Sequence, residues 1–111
     1  MMSVQPFQPR GANQTTPTAQ VSGSVGTSVS QINLGTAATG LDGGITARFV
    51  VQGTDPVAWA YGNQSGLTLG NGCFMLPNSA ETFALPPGVS QISAISSGAG
   101  STLRIIFGDG I

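Results

Sequence analysis

The feature that most constrains this chain is a period-two alternation of apolar residues. Ile45, Ala47, Phe49 and Val51 alternate with Thr46, Arg48 and Val50, and Leu103, Ile105 and Phe107 alternate with Arg104 and Ile106. Successive side chains of an extended strand point to opposite faces, so this spacing gathers one apolar set on one face. Val57, Trp59 and Tyr61 alternate with Ala58 and Ala60, and shorter stretches of the same character fall at 30–34, 72–76, 81–85 and 91–96. Asp42-Gly43-Gly44, Gly53-Thr54-Asp55-Pro56, Gly70-Asn71-Gly72, Pro86-Pro87-Gly88 and Gly98-Ala99-Gly100 separate these runs. Glycine supplies positive φ and proline presets φ near −65°, so these are turns with a mechanism. Turn signals recurring roughly every 8 to 12 residues predict an all-β fold, a small antiparallel β-sandwich or jelly-roll-like barrel. Leu67-Thr68-Leu69 ahead of Asn71-Gly72 and Phe74 predicts a hairpin at that point. Apolar residues at helical spacing are nowhere sustained for three turns without Gly or Pro, so no long helix is expected.

Residues 1–27 read differently from residues 28–111, which form the predicted β-sandwich domain. The leading stretch carries Pro6, Pro9 and Pro17 with Gln, Thr and Asn between them. So little apolar content cannot build a core, and the expected conformation is an extended arm near polyproline II. Such an arm either trails free or orders against a neighbouring subunit. In the second case Val4, Phe7 and Arg10 are the expected contacts.

Charge limits the chemistry. Only 6% of the 111 residues are charged, with three Arg, no Lys, no His and four acids, for a net charge of −1; soluble domains average about 25%. Without His, acid–base catalysis at neutral pH lacks its commonest group, and no enzymatic activity is expected. Three scattered arginines make no footprint for nucleic acid. No run approaches the roughly 20 apolar residues of a membrane span, and the N-terminus lacks the basic and apolar regions of a secretory signal. The chain is therefore expected to be made and released in a cytoplasm. Asp42, Asp55, Glu81 and Asp109 each sit in or beside a turn signal, where carboxylates bond to backbone N–H groups. Neither a calcium-binding spacing, a zinc pattern nor a phosphate loop occurs, so no metal and no cofactor is expected. Cys73 is single, leaving no disulfide within the chain, and reads as a small buried apolar residue.

What remains is surface. Arg48 and Arg104 fall mid-strand opposite the main apolar set, facing solvent, an acid or a partner. Trp59 and Tyr61 share one face, either as core or as a platform for a sugar ring or a subunit contact. With so few charges, the exterior must be mostly Ser, Thr, Asn, Gln and backbone, which suits a molecule packed in an assembly. A strand region of this size buries only about 60% of its unfolded surface. Association with copies of itself or a larger partner is expected to supply the rest, and a trimer would suit a shell lattice.

Residues 44–110 resemble a group of small virion proteins of tailed bacteriophages. The resemblance rests on Ile45-Thr46-Ala47-Arg48-Phe49-Val50-Val51 and on Ala58-Trp59-Ala60-Tyr61-Gly62. It continues in Met75-Leu76-Pro77-Asn78-Ser79-Ala80-Glu81-Thr82-Phe83-Ala84-Leu85-Pro86-Pro87-Gly88 and in Ile92-Ser93-Ala94-Ile95-Ser96-Ser97-Gly98. It closes on Leu103-Arg104-Ile105-Ile106-Phe107-Gly108-Asp109-Gly110. The resemblance implies a non-enzymatic capsid decoration or cement protein on the capsid surface. It would bind the major capsid protein and assemble in the host cytoplasm. A head-fibre or tail accessory protein is the second structural expectation, and a carbohydrate-binding adhesin module is the third. No catalytic residues carry over.

Overall fold

A computed structural model of the chain describes residues 8–9, 20–34, 45–86 and 88–109. Among these residues nine strands follow one another: β1 (Gln8–Pro9), β2 (Gln20–Val25), β3 (Ser30–Asn33), β4 (Ile45–Gly53), β5 (Val57–Tyr61), β6 (Cys73–Met75), β7 (Ser79–Leu85), β8 (Gln91–Ser96) and β9 (Ser101–Asp109).

Their pairing is nested. β5 pairs with β6, β4 with β7, β3 with β8 and β2 with β9, all antiparallel. The chain behaves as one long hairpin whose tip lies between β5 and β6, rolled up on itself. Lateral pairing of β4 with β9 and of β5 with β8 completes two sheets, β2-β9-β4-β7 and β3-β8-β5-β6. β1 extends the β2 side of β9, with Gln8 opposite Asp109 and Pro9 opposite Gly108. This wiring is that of a jelly roll, a double-sheet answer to the exposed-edge problem of antiparallel folds.

The apolar sets read from the alternation face one another between the sheets. Ala47, Phe49 and Val51 of β4 and Leu103, Ile105 and Phe107 of β9 are fully buried. Opposite them lie Val57, Trp59, Ile92, Ala94, Ile32 and Met75 of the second sheet. Phe49 stacks on Trp59 with ring centroids 4.1 Å apart, and the ring of Phe83 meets both edge-on at 5.3 and 4.9 Å. Each large side chain buried this way stabilises the fold by about 1.5–3 kcal/mol over its exposed state.

Two expectations are corrected. The sandwich begins at Gln20, inside the stretch assigned to the arm. Val21 and Val25 face inward from β2, and Val25 belongs to the core. A β-carbon at Gly23 would stand 2.9 Å from Cγ1 of Ile32, so glycine here allows β3 to lie close against β2. With only two apolar residues among six, β2 resembles a linker in sequence. The second correction concerns residues 67–72, which form turns and not the arm of a hairpin. Leu67 is buried instead, beside Gly72, where an added β-carbon would stand 2.6 Å from Leu67 Cδ1 and 3.2 Å from Cβ of Ala58 on the outside of β5.

Candidate contact surface

The outer face of the second sheet is partly covered by its own chain, over Ala58 and Ser93, while Phe74, which register places on the same face opposite Ala58, stays half exposed. Residues 62–72 fold across it, anchored by Leu67. Ser93 on β8 pins the start of this segment and is fully buried. Its Oγ accepts the N–H of Gln64 at 2.8 Å, and the carbonyl of Gly62 (2.7 Å) and Oε1 of Gln31 (2.9 Å) lie within reach of its proton. Asn71 braces the far end, donating from Nδ2 to the Gly66 carbonyl and accepting the Thr68 N–H at Oδ1. A shallow depression of about 360 Å³ between Ala60, Gln64, Leu67 and Asn71 remains. Both ends of the Asn71 amide are committed to holding the loop, so this hollow is a structural cover.

The outer face of the first sheet carries no such cover from the described residues. Register places Ser22, Arg104, Val50 and Ala80 in one row across it, and Gln20, Ile106, Arg48 and Thr82 in the next. Serine, threonine, glutamine, alanine, valine and isoleucine side chains make up the rest of these rows, and Arg48 and Arg104, diagonal on adjacent strands, give the face a positive charge. Arg48 is exposed, while Arg104 is half-buried and donates from Nε and Nη2 to Oε1 of Gln52 at 3.4 and 3.3 Å. Neither Asp55 nor Glu81 shares this face. Asp55 links two turns, its Oδ2 accepting the Gly100 N–H at 3.1 Å. Glu81 sits opposite Phe49 and so points toward the rim between the sheets.

That rim is the third surface. Among the described residues β6 and β7 are edge strands of their sheets, on the side of the sandwich opposite β2 and β3. Phe74 and Leu76, 50% and 63% exposed, are the large apolar side chains the described structure leaves in solvent. Tyr61 spans the rim, its Oη donating to the carbonyl of Ala84 and so joining β5 of one sheet to β7 of the other. Burial pushes the Tyr61 hydroxyl above its ordinary pKa, with the charge of the Cys73 thiolate adding to the effect. Burial likewise pushes the half-exposed Cys73 thiol up, and the Glu81 carboxylate pushes in the same direction. A thiol held protonated is a poor nucleophile at neutral pH.

Of the residues singled out from sequence, Arg48 and Arg104 come together on one open face. Trp59 is 3% exposed and stacked on Phe49, which corrects its reading as a sugar platform or partner contact. A ring covered by core side chains cannot stack on a ligand without opening the sandwich. Tyr61 is half-buried and committed to the rim bond. Val4, Phe7 and Arg10 lie outside the described residues. Sequence reasoning passed over Ser93, Phe74 and Leu76. A hydroxyl between Ile92 and Ala94 is the one signal that could have flagged Ser93, whereas alternation alone cannot tell an exposed edge residue from a core one. Among the described residues, no group of three or more His, Cys, Asp or Glu side chains is placed to hold a metal ion.

Comparison of the chain with protein families, characterised proteins and solved structures gave no match.

Proposed function

We propose that the chain is a non-enzymatic virion structural protein of a tailed bacteriophage, a decoration or cement protein that binds the major capsid protein. The observation that carries this reading is the open outer face of the first sheet. One face of the jelly roll is partly covered by its own loop, and the other carries uncharged side chains around the arginine pair, with no acid among its described residues. A face of this kind forms many dispersed neutral hydrogen bonds and a few directional charged ones, the pattern of a broad contact with a large partner. Jelly rolls serve in viral capsids, and also in lectins and cupins, so the fold supports the reading only by analogy. The mechanism is mechanical: area buried across subunit junctions raises the free energy of opening the shell as packaged DNA presses outward.

Charge reversal tests it. Arg48→Glu with Arg104→Glu should leave the β-sheet circular dichroism intact and cut occupancy on purified particles by at least about tenfold, the equivalent of roughly 1.4 kcal/mol. Full occupancy by the doubly reversed protein would refute the role assigned to this face. Copy number separates a shell protein from the head-fibre or tail alternative, since only the former scales with the major capsid protein.

A further inference from the structure

We propose that β7 is a self-pairing edge, through which two copies of this chain join antiparallel about a two-fold axis at Thr82. The inference goes beyond the virion reading and does not depend on it.

The hydrogen-bond phase of β7 follows from two contacts. Gly53 donates its N–H to Oδ1 of Asn78, on the β7 side of β4. Odd-numbered residues of β4 therefore turn their backbone groups toward β7, and their register partners Ser79, Glu81, Phe83 and Leu85 turn theirs toward β4. Ala80, Thr82 and Ala84 must then direct N–H and C=O away from the sheet, because alternate residues of an antiparallel ladder bond to opposite sides. The bond from Tyr61 to the Ala84 carbonyl agrees, since that oxygen points away from β4, and its second lone pair is the one left for a second copy. No described strand pairs with this side of β7.

Such a row is a template for another strand, and its side chains suit a second copy. With the axis at Thr82, Thr82 pairs with Thr82 of the second copy in a hydrogen-bonded pair, and Ala80 pairs with Ala84 of the second copy. On the outer face the meeting side chains are Ala and Thr, too small to hold the strands apart. On the inner face Glu81 falls opposite Phe83 of the second copy, so the two Glu81 carboxylates are diagonal neighbours at about 7–8 Å and not directly opposed, a repulsion that added salt screens. The incoming C-terminal half of β7 runs beside Leu76 and Phe74, which border a hollow of about 330 Å³ with Ser79 and Glu81. The result is a continuous sheet through both molecules with an isologous interface.

The test is sedimentation equilibrium of the purified full chain from about 1 µM to 1 mM, a range spanning weak to moderate association. A monomer–dimer equilibrium is expected. Thr82→Pro removes an outward N–H without touching the β4–β7 ladder, a place where edge strands tolerate proline. It should weaken dimerisation on the order of 100-fold, the sum of a few lost backbone bonds. Amide exchange of the unmodified chain gives a second readout that does not rely on the variant folding. The N–H groups of Ala80, Thr82 and Ala84 should exchange more slowly as concentration rises. A monomer throughout the range, a closed trimer, a dimer indifferent to Thr82→Pro, or concentration-independent exchange at these three amides would each overturn the proposal.

Discussion

Phe49 and Trp59 stack across the gap between the two sheets, 4.1 Å apart and inclined by 30°. They come from β4 and β5, strands that follow one another in the chain but belong to different sheets, so this contact holds the rolled hairpin closed. Phe49→Ala should cost about 3–5 kcal/mol, the usual loss for an aromatic truncated in a packed core. Trp59→Phe should cost far less, within about 2 kcal/mol, because the buried indole Nε1–H has no hydrogen-bond partner among the described residues and its removal relieves a cost that offsets the lost volume. Urea unfolding of both variants checks the contrast.

Alkaline pH should loosen the rim. Tyr61 and Cys73 both have folded pKa values raised above their ordinary values of 10.0 and 9.0. Above those ordinary values the unfolded chain gives up protons that the folded chain still holds, so the unfolded state binds fewer protons and stability falls with rising pH. The decline should begin near pH 9 and steepen past pH 10. Tyr61→Phe with Cys73→Ala should flatten it, while also losing about 1 kcal/mol at neutral pH from the missing bond to Ala84. Thermal melts from pH 7 to 11 give both quantities.

Ser93 anchors the cover of the second sheet. Ser93→Ala leaves the Gln64 N–H without its acceptor and should cost about 1–3 kcal/mol. The loss should be local, with faster amide exchange across residues 62–72 and little change in β9.

Two glycines separate strain from crowding. Gly53 and Gly88 both have positive φ, 138° and 88°. A β-carbon at Gly53 would lie 2.1 Å from the Gly100 carbonyl oxygen, whereas one at Gly88 meets nothing within 4 Å. Gly88→Ala should cost about 1 kcal/mol from backbone strain alone, and Gly53→Ala roughly 3 kcal/mol or more, because there the neighbouring backbone must also move. Denaturation midpoints of the pair provide the check.

The strands from β3 to β9 were legible in the sequence, most sharply β4, β5 and β9, because burial on one face leaves a period-two record, with the shorter stretches at 30–34, 72–76, 81–85 and 91–96 falling on β3, β6, β7 and β8. β2 left no such record: its single-sided burial involves two valines and a glycine chosen for closeness to Ile32. Leu67-Thr68-Leu69 mimicked a strand because one of its leucines is buried, beside Gly72. The nested pairing was invisible, since partners such as Val21 and Ile105 are brought together by the whole roll and by no local signal. The outward placement of Arg48 and Arg104 was legible from alternation. The openness of their face was not, because it depends on which sheet the 62–72 segment covers.

The most direct test is cryo-electron microscopy of purified phage particles that encode this chain. Jelly-roll density of this shape is expected in stoichiometric ratio to the major capsid protein, seated with the Arg48 and Arg104 face of the first sheet against the shell. Particles lacking the chain, or carrying it with that face turned to solvent, would contradict the account.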